Sequence, residues 1–260
     1  MQPTTRDSLI LSVIATVILV IGVSFATLSA RAEDPAGTLF IFGGGNTPNA
    51  IREAFFQRAG GSKAKIIVVP TASEGAERKD ADEQYLNEWQ KLKPASVTLL
   101  HTRDRKKADE AEFVQPLKEA TAVWFSGGNQ NRVTAAYLGT AVEKECKALL
   151  KRGGVLGGTS AGAALQSKVM IAGGAKEAET AEGFGFIDWA VIDQHFLKRN
   201  RMQRLLGVLD KNPKLWGIGV DESTAAVVTG NNVEVVGSSY VVVIPPDRKA
   251  IQTLKAGDKL

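Results

Sequence analysis

Chemistry is most legible at Gly158-Thr159-Ser160-Ala161-Gly162. The apolar stretch Gly154–Gly157 runs into this segment and Ala163-Ala164-Leu165 runs out of it, which is the strand, tight turn and helix of a nucleophile elbow. Small flanking residues allow the turn to hold its serine in a strained conformation while the backbone closes on neighbouring strands. Ser160 is therefore expected to stand above a sheet edge, with the Ala161 amide and the dipole of the following helix turned toward a developing oxyanion. A serine nucleophile needs a base, and the chain contains two histidines. His101 closes an apolar run and opens the charged Thr102-Arg103-Asp104, whereas His195 ends Val191-Ile192-Asp193-Gln194 and precedes a basic helix, so His195 is the expected base. The orienting acid is expected at Asp221 or Glu222, after the apolar Gly217–Val220. Adjacent residues of an extended chain face opposite ways, so one of the two should meet the imidazole.

Two further segments would complete such a site. Trp124-Phe125-Ser126-Gly127-Gly128-Asn129-Gln130 places a glycine pair after an apolar strand, and the Gly128 amide is a candidate second oxyanion donor. Asn129 and Gln130 are placed to meet an amide of a substrate, with helix capping as the other role open to Asn129. Arg201 and Arg204 are three apart in Leu197–Leu209, a predicted helix, where they would share a face and hold carboxylates through forked hydrogen bonds. Phe40-Ile41-Phe42-Gly43-Gly44-Gly45-Asn46 lacks the Gly-Lys-Ser/Thr of a phosphate loop, so its glycines are expected to bring the first strand end close to the site.

The elements that must position these residues follow from the hydrophobic pattern. Thr38–Phe42, Lys65–Val69, Ser96–Leu100, Ala122–Phe125 and Gly154–Gly157 read as strands, alternating with helical spacing over Pro48–Arg58, Asp80–Lys91 and Ala141–Lys151. That alternation predicts a three-layer αβα sandwich with a mostly parallel central sheet. Beyond Ala190, one helix and the C-terminal strands Gly217–Val220, Ala225–Thr229, Asn232–Val236 and Tyr240–Ile244 are expected to finish the sheet in antiparallel fashion. The mixed-sign stretch Arg103–Glu110 is expected to form a solvated loop and a helix start.

The 260 residues are 44% hydrophobic and 23% charged, which suits a globular chain with a sizeable core and argues against collagen-like, disordered and multi-span membrane classes. The balance of 32 Lys and Arg against 28 Asp and Glu gives +4, a mild excess that favours an acidic ligand and falls short of a nucleic-acid footprint. With one cysteine, Cys146, no intramolecular disulfide and no multi-cysteine metal site is available, so stability must come from packing. After Arg6, Leu9 to Leu28 is an uncharged run of 20 residues, and Ala30 and Ala32 follow it at small-x-small spacing. Residues 1–32 therefore read as an export signal or, because such a run can span a bilayer, as an uncleaved anchor that would be the one membrane contact. The expected folded domain is 37–260, exported to the periplasm or beyond.

Six ordered segments carry a family resemblance: Phe42-Gly43-Gly44-Gly45, Pro70-Thr71-Ala72-Ser73, Ser126-Gly127-Gly128-Asn129-Gln130, Gly158-Thr159-Ser160-Ala161-Gly162-Ala163, Asp193-Gln194-His195-Phe196 and Asp221-Glu222-Ser223-Thr224-Ala225. From about Gly37 to Ile244 the chain resembles the S51 serine peptidases, in particular the branch that degrades cyanophycin, multi-L-arginyl-poly-L-aspartate. The resemblance implies a class I glutamine-amidotransferase-like, flavodoxin-like fold with serine in place of that group's cysteine. It implies Ser160, His195 and Glu222 as nucleophile, base and orienting acid. Gln130, Asp193, Gln194, Arg199, Arg201 and Arg204 match substrate-binding positions, the arginines toward aspartyl carboxylates and the acidic groups toward a guanidinium. The implied reaction releases β-aspartyl-arginine dipeptides with no metal or organic cofactor, and the implied assembly is a homodimer. The segment Ile171–Gly183 departs from the family pattern, being shorter and poorer in serine and proline. It leaves two alternatives, an aspartyl dipeptidase acting on other acidic peptides and an inert binding module of the same fold.

Overall fold

Runs such as Thr38-Leu39-Phe40-Ile41-Phe42 carry apolar side chains at odd and even positions alike, so a strand made from them must be covered on both faces. The computed structural model describes residues 37–230 and 232–260; the apolar leader and its small-residue site lie outside the described residues. In it β1 (Thr38–Phe42) is buried throughout, and β2 (Lys65–Val69) is buried after its first residue. The chain then alternates through α1 (Asn49–Arg58, between β1 and β2), α2 (Ala81–Gln90), β3 (Ser96–Leu99), α3 (Ala111–Glu119), β4 (Ala122–Phe125), α4 (Gln130–Tyr137), α5 (Ala141–Lys151) and β5 (Val155–Thr159). These strands lie side by side in the order β1-β5-β4-β2-β3, every contact between them parallel. All five therefore end at one edge, where ligands of open α/β sheets bind.

Helices cover both faces. On one, Phe55 of α1 packs edge-on against Phe40, Trp89 of α2 and Trp124, and Trp89 packs tilted against Trp124, with ring centroids 5.1–5.3 Å apart. On the other, α3, α4 and α5 bury Val114, Leu117, Val133, Tyr137, Cys146 and Leu149. Arg103–Glu110 forms turns and a short 3-10 segment that lead into α3.

After β5 come α6 (Ala161–Ala164), a hairpin of β6 (Val169–Gly173) and β7 (Glu179–Glu182), β8 (Ala190–Gln194), α7 (Met202–Lys211), β9 (Trp216–Val220), β10 (Thr224–Thr229), β11 (Asn232–Gly237), β12 (Tyr240–Ile244) and β13 (Gln252–Lys255). The C-terminal strands divide, which corrects the expectation that they finish one sheet. β10 and β11 extend the main sheet antiparallel beyond β1, making it seven-stranded, whereas β8, β9, β12 and β13 form a second, four-stranded sheet. The physical reason is the β8–α7–β9 crossover. Phe196, Leu205 and Leu209 bury against the glycine-bearing face of β9 and hold it parallel to β8. The helix expected from Leu197 begins at Met202, because residues 196–200 are a turn that ends with Asn200 at φ +50°. No helix among the described residues is long and apolar enough to cross a membrane.

Candidate active site

Ser160 sits between β5 and α6 with φ +52° and ψ −105°, a conformation that costs a non-glycine residue about 1–3 kcal/mol. The surroundings enforce it. The Ser160 N–H donates to Phe42 O at 2.9 Å, and its carbonyl accepts from the Ala163 and Ala164 amides at 3.0 Å. The elbow is also too tight for side chains on either side: a Cβ on Gly158 would lie 2.3 Å from Gly162 O, and one on Gly162 would lie 2.2 Å from Phe125 O.

His195 follows β8, and Glu222 follows β9, so the second sheet delivers its carboxyl edge to the same place. Ser160 Oγ is 2.8 Å from His195 Nε2, and His195 Nδ1 is 2.7 Å from Glu222 Oε1. A carboxylate only accepts, so Nδ1 carries the proton and Nε2 is left to accept from the Ser160 hydroxyl. His195 also has positive φ, +49°, as does Ser223, +55°, beside Glu222. The Gly43–Gly45 loop after β1 joins these parts. Gly43 O accepts from His195 N–H at 2.8 Å and Gly44 O from Ser223 N–H at 2.9 Å. Gly44 lies against the imidazole, where a Cβ would come within 2.4 Å of Cε1. Burial holds His195 below the ordinary imidazole range; Glu222 pulls upward, while the charges of Arg199 and Arg201 push further down. A neutral ring at neutral pH is the form that can take a proton.

Asp221, the other carboxylate of the pair, faces away from the imidazole. Its Oδ1 accepts from Lys198 N–H at 2.9 Å and its Oδ2 from Ser239 Oγ at 2.7 Å. It thereby ties the turn after His195 to the strand connection that carries Glu222. Burial acts to raise this carboxyl, and the hydrogen bonds outweigh it, so the group lies below its ordinary range. Nothing in the sequence pattern marked this role, because the partner is a main-chain amide 23 residues away.

The amides of Ala161 and Gly128 donate to no other protein group among the described residues, and Gly127 packs beside Ser160. Both polar side chains of the neighbouring loop engage the protein itself. Asn129 caps α4, its side chain accepting from Asn131 N–H at 2.9 Å. Gln130 is buried and its Nε2 donates to Ile171 O and Ala172 O of β6 at 2.8 and 3.0 Å, which anchors the hairpin.

Asp193 and Arg204 hold each other. Arg204 Nε donates to Asp193 Oδ2 at 2.9 Å and Nη2 to Oδ1, with both side chains almost wholly excluded from solvent, and Arg204 Nη1 reaches Gly174 O. Burial raises the Asp193 carboxyl, and the Arg204 and Arg201 guanidinium groups draw it back. Arg201 stands ahead of α7 and not on its face, donating to Gln194 O at 2.5 Å and Asp193 Oδ1 at 3.4 Å. Burial, outweighing the attraction of Asp193, brings its guanidinium to about 10, still charged at neutral pH. Arg199 is exposed on the turn after His195. Gln194 is buried, and its Oε1 has no partner among the described residues. Cys146 lies on the buried face of α5, its thiol pushed up by burial to about 12.

The comparisons with known proteins cover the same span. The family model for peptidase family S51 matches residues 39–236. Cyanophycinase from Geminocystis herdmanii is 34% identical over 203 residues, 75% of this chain and 74% of that protein. Cyanophycinase from Nostoc sp. is 33% identical over 205 residues, covering 75% and 68%. The crystal structure of a peptidase from an acI-B1 actinobacterium superposes with a TM-score of 0.73 at 26% identity, over 88% of this chain and 98% of that one. A putative peptidase E from Listeria monocytogenes shares the fold, with a TM-score of 0.57 at 17% identity over 78% and 99%. A match that begins with β1, runs through the serine elbow and ends in β11 covers every element that builds the site, and it leads to one conclusion: the chain belongs to peptidase family S51, as a serine-type peptidase on a flavodoxin-like αβα fold.

Proposed function

We propose that this peptidase is an exported enzyme that hydrolyses cyanophycin to β-aspartyl-arginine through a Ser160-His195-Glu222 acyl-enzyme. The observation that carries the mechanism is the unbroken hydrogen-bonded line from Ser160 Oγ through both imidazole nitrogens to Glu222. His195 Nε2 takes the Ser160 proton as Oγ bonds to the scissile carbonyl carbon. The Ala161 and Gly128 amides receive the oxyanion, and Glu222 stabilises the imidazolium. The imidazolium then gives its proton to the leaving amine as the C–N bond breaks. Water, deprotonated by the same nitrogen, cleaves the acyl-enzyme.

Support for the substrate is of two kinds. Relatives of about 34% identity bear the name cyanophycinase. The charges of Arg199 and Arg201 lie near enough to the imidazole to depress its basicity, which suits a substrate that carries the free α-carboxylates of its arginyl side groups. Export rests on the leader at residues 1–32. Purified protein incubated with cyanophycin should release β-aspartyl-arginine and leave neutral peptides intact. Cleavage of another peptide class with cyanophycin untouched would reject the substrate. Intact mass of the protein recovered from its host should show a new N-terminus near Glu33, and a full-length mass in the membrane fraction would instead establish an anchor.

A further inference from the structure

A second buried network lies beside the Gly127–Gly128 turn. Thr71 follows β2, His101 follows β3 and Tyr137 ends α4, and the three side chains are hydrogen-bonded in a row. Thr102 N–H donates to Tyr137 Oη at 3.0 Å, Tyr137 Oη and Thr71 Oγ1 are 2.8 Å apart, and Thr71 Oγ1 and His101 Nδ1 are 2.9 Å apart. Counting protons sets the direction. The Thr102 amide only donates, so the phenol oxygen accepts from it, and the buried phenol proton then needs Thr71 Oγ1 as its acceptor. Thr71 gives its own proton to His101 Nδ1, which is therefore the unprotonated nitrogen. His101 Nε2–H is left facing Glu77 Oε1 at 3.8 Å. Burial, followed by the Arg103 charge, holds this imidazole below its ordinary range, in keeping with a neutral ring.

The loop that this network pins is the one against which Gly128 rests. Thr71 is wholly buried, and the next carbonyl, Ala72 O, accepts from Asn129 N–H at 2.9 Å. Gly128, at φ +138°, approaches so closely that a Cβ there would lie 2.2 Å from Ala72 O. Tyr137 belongs to α4, the helix that starts at Gln130 directly after the same turn. The Gly128 amide is thus bracketed by a loop and a helix that are fastened to each other through Thr71 and Tyr137.

We propose that Tyr137, Thr71 and His101 are positioning residues that set the Gly128 amide at the oxyanion position. The inference rests on the acyl-transfer reading above. No hydrogen bond among the described residues joins any of the three to Ser160, His195 or Glu222. An oxyanion donor acts on charge that exists only in the transition state, so displacing it lowers kcat and leaves substrate binding alone.

The test measures cyanophycin hydrolysis and the phosphonylation rate of Ser160 by a small neutral fluorophosphonate, using the full chain and its Thr71→Val, Thr71→Ser and Tyr137→Phe variants. Thr71→Val and Tyr137→Phe should each lower kcat about tenfold or more, with KM within about twofold, and should slow phosphonylation in parallel. Thr71→Ser keeps the hydroxyl and should recover most of the loss. A lower melting temperature with unchanged kcat per folded molecule would show a purely structural network and overturn the proposal, as would equal losses in Thr71→Ser and Thr71→Val. Should the valine variant not fold, Tyr137→Phe, which removes one oxygen, decides the matter. If the unmodified chain phosphonylates but leaves cyanophycin intact, the substrate assignment fails, and the phosphonylation rates alone still decide this proposal. If the unmodified chain does not phosphonylate, the nucleophile assignment fails and this proposal with it.

Discussion

His195 lies 2.8 Å from the Ser160 hydroxyl and 2.7 Å from Glu222; His101 lies 2.9 Å from the Thr71 hydroxyl and 3.8 Å from Glu77. By residue type both are a hydroxyl, an imidazole and a carboxylate in a row. Their surroundings differ in three ways. Ser160 is half-buried at the sheet's carboxyl edge, whereas Thr71 is sealed from solvent. Ser160 and His195 are held at positive φ, while neither Thr71 nor His101 is. The Ala161 amide next to Ser160 and the Gly128 amide of the neighbouring turn have no protein acceptor among the described residues, whereas the Thr71 hydroxyl is engaged by Tyr137. Access, backbone strain and free donors therefore set Ser160, the proposed nucleophile, apart from Thr71, and the triad of residue types does not.

That comparison breaks if the wrong hydroxyl carries the reaction. Ser160→Ala should lower kcat on the order of 10⁶-fold, leaving only what binding and the oxyanion amides supply, with the fold intact by circular dichroism. Undiminished turnover would remove Ser160 from the mechanism. The two adjacent carboxylates give the next largest contrast. Glu222→Gln should cost about 10⁴-fold in kcat because the amide can favour the wrong imidazole tautomer. Asp221→Asn should act mainly on stability, by about 1–3 kcal/mol in urea titration, through weakened bonds to Lys198 N–H and Ser239. The Asp221 carboxyl lies below its ordinary range, so its contribution is present above the unfolded-state pKa and is lost as pH falls through the folded value. In the asparagine variant that acid-dependent loss should be absent.

Arg204 and Arg201 sharpen the distinction between holding the site and meeting the substrate. Arg204→Ala strands the buried Asp193 carboxylate and should destabilise the protein by about 3–5 kcal/mol, read as a lower melting temperature. Arg201→Ala, with a weaker contact to Asp193, should fold and lose about tenfold in kcat/KM on cyanophycin while Ser160 still phosphonylates. The smallest effect is on pH dependence. The acid limb of kcat/KM should lie below the ordinary histidine value of about 6.5, since burial depresses His195. Arg199→Ala removes a charge that disfavours the imidazolium, so the limb should move to higher pH; a shift to lower pH would show that Arg199 does not act on His195 through its charge.

Local patterns exposed much of this protein in its sequence. The buried strands β1, β2 and β4 were legible because both faces of a central parallel strand are apolar, and Ser160 was legible because an elbow needs small residues at fixed offsets. The pair Asp221-Glu222 was visible as a pair, since alternation along an extended chain says that only one side chain can face His195. Which one does so was a tertiary matter: it depends on the β8–α7–β9 crossover, which presents Lys198 N–H to Asp221 and the imidazole to Glu222. The split of the C-terminal strands between two sheets was equally illegible, because β9, β10, β11 and β12 have similar local patterns and their partners are chosen by long-range packing. Arg204 and Gln130 show the same limit at single residues. Their protein partners are not legible in the sequence: one closes on Asp193 and the other on β6, since a buried polar group takes a partner the fold supplies. Sequence alone determined the kinds of groups available, a serine in an elbow, two imidazoles and several carboxylates and arginines. Only the tertiary structure decided which of them meet, because hydrogen bonds between residues 27 and 35 positions apart exist only where two sheet edges converge.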